Sequence, residues 1–138
     1  MSTNHSLVEL AKQIATEAHE GQFRRGGVIP YITHPQDVSE RLEGDYNAQV
    51  VAWLHDVLED TSLSATDLSE AGIPADLVEC VCLLTKTPQT TYEEYLDKIS
   101  TSPTATKVKI ADMLSNLADK PTKKQIRKYA KGLLRLTR

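Results

Sequence analysis

At 138 residues, with 40% apolar and 25% charged side chains, the chain has the size and balance of one folded domain, read here as spanning 1–138. That composition excludes wholesale disorder; no apolar run nears the ~18–20 residues of a membrane span, and residues 1–6 have no signal-peptide pattern. The formal net charge of −3 divides unevenly, −11 over residues 1–106 and +8 over residues 107–138, so a basic end sits on an acidic body.

Apolar residues recur with helical period almost throughout. Leu7, Leu10, Ala11, Ile14 and Ala18 stripe a first helix that stops at Gly21. A glycine-rich loop with two arginines follows, from Gln22 through Arg24, Arg25, Gly26 and Gly27 to Tyr31. Pro35 suits the first turn of a short second helix, which puts His34 at its entrance, and Gly44 closes that stretch. A third helix is expected over about 47–59, carried by Val50, Val51, Leu54 and Leu58. Ser64 and Asp67 signal the start of a fourth, ending near Gly72.

Pro74 opens a fifth helix, where Cys80 and Cys82 stand two positions apart and point to different sides. They cannot staple the fold, and both are expected as reduced core thiols of a cytoplasmic protein. Tyr92, Tyr95, Leu96 and Ile99 mark a sixth helix, residues 104 or 105 to 117 a seventh, and about 122–136 a basic eighth. No segment alternates with a two-residue period. The expectation is an all-α bundle of about eight helices. The basic helix lacks interleaved aromatics, so a solvated face is its plainer reading and nucleic acid an unlikely partner.

Three features fit poorly with a purely structural role. His55 and Asp56, followed by Glu59 and Asp60, lie on an otherwise apolar helix, where carboxylates and imidazole lose hydration and the acids repel. His34 is held at its junction by Tyr31, Ile32 and Pro35. Asp112 shares a stripe with Val108, Ala111, Ser115 and Asp119, expected to face inward. Two imidazoles and two carboxylates from three helices balance one divalent cation, and the mixed donors suit Mn²⁺, Fe²⁺ or Zn²⁺ over Ca²⁺.

The order His34, His55-Asp56, Asp112 resembles the HD superfamily of metal-dependent phosphohydrolases. Its RelA/SpoT-type hydrolase branch, with stand-alone alarmone hydrolases, is closer still over roughly residues 7–120. That likeness rests on Arg24-Arg25-Gly26-Gly27, the stretch Pro30 to Pro35, His55 through Thr61, and Lys109 to Asp112 with Asn116. The resemblance implies an all-helical HD fold holding one ion, most often Mn²⁺. It implies removal of the 3′-diphosphate of guanosine tetra- or pentaphosphate as pyrophosphate. Under it, His34, His55, Asp56 and Asp112 are the metal ligands and Glu59 with Asp60 the catalytic acids beside the water. Arg24 or Arg25 would reach phosphate, Lys109 and Asn116 would meet phosphate and ribose or base, and Tyr31 would stack on the ligand.

Three positions depart from that pattern on the ligand side. Met113, Ala118 and Asp119 replace two arginines and a threonine, and Asp119 is expected to repel a polyanion. One basic helix also stands where the family often has several closing the pocket. Two alternatives therefore remain: hydrolysis of another nucleotide or phosphomonoester, and a metal-stabilised interaction or nucleic-acid-binding module. The sequence leaves the oligomeric state open.

Overall fold

The computed structural model describes residues 4–138; residues 1–3, the start of the stretch expected to lack a signal peptide, lie outside the described residues. The elements are α1 (Asn4–Ala18), α2 (Thr33–Glu40), α3 (Tyr46–Leu54), the single turn α4 (Val57–Asp60), α5 (Ala65–Ala71), α6 (Ala75–Leu83), α7 (Tyr92–Ile99), α8 (Pro103–Leu117) and α9 (Lys123–Leu136). Among the described residues extended pairing is limited to one isolated antiparallel bridge, Phe23 with Pro30, so the architecture is all-α.

Side-chain caps set most of the starts. Asp45, Ser64, Thr91, Ser102 and Thr122 each accept a hydrogen bond from the backbone N–H three residues on, which satisfies a donor the helix itself leaves orphaned. Ser64 with Asp67 and Thr122 with Gln125 close reciprocal capping boxes. Gly72 ends α5 in the left-handed region at φ 109°.

α3 is the central element. Ala48, Val50, Val51, Ala52, Trp53 and Leu54 are all buried, and the helix touches α1, α2, α6 and α8. Ala11 and Ala15 are fully buried on α1, and their small side chains let that helix close on α3. Met113 is also fully buried, under α9. A Cβ at Gly132 would fall 2.7 Å from the Met113 Cε, so the glycine lets α9 seat on α8. This position is therefore a packing contact and not part of a ligand wall.

Three local expectations need correction. The helix expected over 47–59 breaks after Leu54 and resumes as α4. His55 Nδ1 lies 2.6 Å from the Ala52 carbonyl oxygen, and Asp56 sits at φ −104°, ψ −1°; an imidazole competing for a ladder carbonyl interrupts the helix. The helical part of α2 stops at Glu40, and a turn carries the chain to Gly44. Cys80 is buried but Cys82 is exposed, as positions about 200° apart around a half-buried helix must be. No helix among the described residues is long and apolar enough to cross a membrane.

Candidate active site

The break between α3 and α4 aims both His55 and Asp56 at one point. His34 reaches it from the first turn of α2 and Asp112 from the middle of α8. Asp112 Oδ1 lies 2.8 Å from His34 Nε2 and 3.3 Å from His55 Nε2, while Asp56 Oδ2 lies 3.0 Å from His55 Nε2 and 4.0 Å from His34 Nε2. Ligand atoms of His34, His55 and Asp112 all fall within 4.8 Å of one another, a spacing one divalent ion can span.

The donor chemistry fits such an ion. His55 Nδ1–H donates to the Ala52 carbonyl, which leaves Nε2 with its lone pair, buried and without a hydrogen-bond partner. That lone pair faces two carboxylate oxygens, an arrangement of acceptors that only a cation or a proton can reconcile. Burial works against a charged His55, yet Asp56 and Asp112 outweigh it and raise its affinity for a proton well above the usual range. The same field favours a metal ion. The backbone bond on Nδ1 is also the support that metal-bound histidines ordinarily receive.

A second layer orients these groups. The Tyr31 hydroxyl donates to Asp56 Oδ2; burial, then the Asp56 charge, holds that phenol in its protonated form. Lys109 Nζ donates to Asp112 Oδ2 at 3.0 Å and lies 5.3 Å from the centre of the Tyr95 ring. Burial alone would raise the Asp112 carboxyl, but Lys109 first and His55 next hold it well below the carboxylate range. Asn116 Nδ2 reaches Asp112 Oδ1 at 3.4 Å. Tyr31 and Lys109, expected as ligand contacts, are thus both engaged with the acids of the cluster.

Glu59 and Asp60 stand on α4 at the rim, both exposed. Partial desolvation, followed in Asp60 by the Asp56 charge, raises the pKa of each; in Glu59 a bond from the Lys86 backbone N–H partly offsets it. That bond, 2.5 Å to Glu59 Oε1, fixes the carboxylate against the α6–α7 loop. Across the site, Arg24, Arg25, Tyr31, His34, Asn116, Asp119 and Gln125 line a cleft of about 140 Å³. The loop bearing the arginines is pinned by the Arg24 N–H to Ile29 carbonyl bond and by the Phe23–Pro30 bridge. Asp119 does not face inward with the rest of its stripe: it lies beyond the end of α8 and pairs with Arg24 at 2.8 Å.

Three contributors carried no sequence expectation of a site role. His34 Nδ1 lies 3.3 Å from the Ser115 hydroxyl, one turn beyond Asp112 on the same face. His19, buried, bonds Gln22 at 2.9 Å, and the Gln22 amide donates to the Asp60 carbonyl at 2.9 Å. The His19 ring also packs 5.0 Å from that of Tyr31. The sequence signal for Ser115 was its position on the Asp112 stripe; for His19 it was an imidazole at the end of α1, facing the loop.

No family model matches the chain. It is 43% identical over 86 residues, 59% of this chain, to the guanosine-3′,5′-bis(diphosphate) 3′-pyrophosphohydrolase of Haemophilus influenzae, covering 13% of that protein. It is 34% identical, over an alignment of 144 positions covering 94% of this chain, to a probable GTP pyrophosphokinase of Mycobacterium leprae, and covers 18% of that protein. The chain therefore spans less than a fifth of the length of these curated relatives. In structure it resembles a metazoan ortholog of SpoT described as hydrolysing ppGpp, with TM-score 0.77 and 25% identity over 99% of this chain and 86% of the other.

Proposed function

We propose that this chain, an HD-type domain of the RelA/SpoT hydrolase kind in sequence and fold, is a metal-dependent nucleotide pyrophosphohydrolase. Its substrate in this reading is guanosine 3′,5′-bis(diphosphate), split to GDP and pyrophosphate. The observation that carries it is the bare, buried Nε2 of His55 facing Asp56 and Asp112 with His34 alongside. His34, His55, Asp56 and Asp112 would hold one divalent ion, its mixed nitrogen and oxygen donors suiting Mn²⁺, Fe²⁺ or Zn²⁺ and the family resemblance favouring Mn²⁺, in a cytoplasmic domain over 1–138. When bound, that ion lowers the pKa of water toward neutrality and offsets phosphoryl charge.

The chain's own residues do the rest. Glu59 and Asp60, with raised pKa values, orient the attacking water and take its proton as its oxygen adds to the 3′-phosphorus. The P–O3′ bond breaks, and the departing ribose 3′-oxygen takes back the proton drawn from water, which leaves GDP and pyrophosphate. Arg24 and Arg25 face the departing diphosphate. Asn116, at the cleft wall, is placed for the sugar.

The test is a Mn²⁺-supplemented panel of guanosine tetraphosphate, ordinary nucleotides and simple phosphomonoesters, with products identified. Pyrophosphate and GDP from the tetraphosphate are expected. A second reading, a less highly charged phosphomonoester, is favoured by the Asp119 carboxylate on the arginine wall, and orthophosphate as sole product would select it.

A further inference from the structure

The two arginines placed to meet phosphate are both engaged by one short segment of the chain. Arg24 Nη2 pairs with Asp119 Oδ2 at 2.8 Å, and Arg25 Nη2 donates to the Lys120 carbonyl at 3.2 Å. That segment joins α8 to α9 across the cleft from the arginine loop. Lys120 holds φ 47°, the left-handed region that costs a side chain about 1 kcal/mol or more, and it is the described non-glycine residue with positive φ. The Arg24 side chain is 17% exposed and that of Asp119 52%, so the pair stands at the border of cleft and solvent.

We propose that Asp119 is a specificity-determining clasp, a carboxylate occupying on Arg24 the place of a substrate phosphate. This rests on the phosphohydrolase reading and goes beyond it by fixing how strongly the site favours highly charged ligands. A diphosphate engages Arg24 only by displacing Asp119, and the displaced carboxylate stays nearby. The more of a ligand's charge that rests on Arg24, the more affinity it loses to the competing carboxylate. Pyrophosphate and nucleoside diphosphate ends lose more affinity to it than monophosphates do, so the native residue narrows the preference for polyanions. Asp119 thereby acts through Arg24, not through a general field.

The test is a double-mutant cycle on the full chain loaded with Mn²⁺, using Arg24→Ala, Asp119→Asn and Asp119→Thr. Inorganic pyrophosphate and orthophosphate binding are measured by calorimetry, and KM and kcat on guanosine tetraphosphate in parallel. Loss of a half-exposed ion pair is worth at most about five-fold, so Asp119→Asn should tighten pyrophosphate about two- to five-fold. Orthophosphate should tighten less, KM on the tetraphosphate should fall, and the gain should shrink markedly in the Arg24→Ala background. Asp119→Thr should repeat the gain if Asn packs poorly. An unchanged pyrophosphate affinity in both variants, or an equal gain without Arg24, would overturn the clasp. Tighter pyrophosphate without hydrolysis of the tetraphosphate would sustain the clasp and sink the function proposed above.

Discussion

The two sides of the cleft hold charge in opposite ways. On the metal side, imidazole and carboxylate groups are buried and set at hydrogen-bond distance by α2, the α3–α4 break and α8, with acceptors facing acceptors. On the arginine side, charges pair off at the edge of solvent, Arg24 with Asp119 and Arg25 with a carbonyl. The first side gathers buried acceptors whose arrangement favours a cation, and it is rigid because most of its residues lie in the core. The second has Arg24 neutralised by Asp119 while Arg25 keeps its charge against a carbonyl dipole, and it is adjustable because water screens what these contacts contribute. Binding a cation should matter steeply; rearranging the arginines should matter in small steps.

The sharpest break of that contrast is on the metal side. Asp56→Ala should lower turnover more than about a thousand-fold, with pyrophosphate release as the readout. Mn²⁺ at a hundred times its Kd should stabilise the wild type by roughly 2.7 kcal/mol, seen in thermal melts against chelator, and should leave Asp56→Ala unmoved. Asp112→Ala should lose activity as fully and also unfold more easily, by about 2–4 kcal/mol, because it strands Lys109, whose side chain is only 13% exposed. If both variants melt alike, the Lys109–Asp112 pair does not support the fold.

Next in size is the acid pair. Glu59→Gln should cut kcat about 10²–10⁴-fold while Mn²⁺ still binds. Protonated Glu59 and Asp60 cannot accept the water's proton, and partial desolvation raises the pKa of both. Activity at saturating Mn²⁺ should therefore fall as pH drops through values above those of ordinary carboxylates. A kcat profile flat down to the usual carboxylate range would remove the base from α4. Tyr31→Phe should act more mildly, through Asp56: removing a supporting bond of this type weakens metal binding about 10–100-fold, readable by Mn²⁺ calorimetry.

The legibility of these two sides differed for a physical reason. Local rules carried the helices: the cap at Ser64, the start of the last helix near Thr122 and apolar stripes on α1, α7 and α8 stand where the pattern put them. His34, His55, Asp56 and Asp112 were legible as polar groups on apolar faces, and the fold brings them together. What failed was assuming an unbroken ladder through His55, where a side chain takes the carbonyl, treating Met113 as facing a ligand, and placing Asp119 inward with the rest of its stripe. Asp119 lies past the last turn of α8, so helical periodicity no longer says where it points. Ser115, His19 and Gln22 act across 81, 3 and 38 residues of chain, and no single-helix pattern encodes the longer partnerships.

The smallest effect is a control outside both sides. Asp45 caps α3 by accepting from the Ala48 N–H and pairs with Lys107 at 2.8 Å, far along the helix from His55. Asp45→Ala should cost about 1 kcal/mol of stability, the usual worth of a cap, and Asp45→Asn, which can still cap, only a few tenths. Lys107, then the Ala48 N–H, hold the Asp45 pKa below its unfolded value. The charge contribution is thus complete above the unfolded pKa and is lost as pH falls through the lower, folded one. Melts of wild type and Asp45→Asn should differ at neutral pH and converge in strong acid, with kcat unchanged between them. A loss of turnover in Asp45→Asn would mean that strain at the start of α3 reaches His55, and the metal side would then be less rigid than its burial implies.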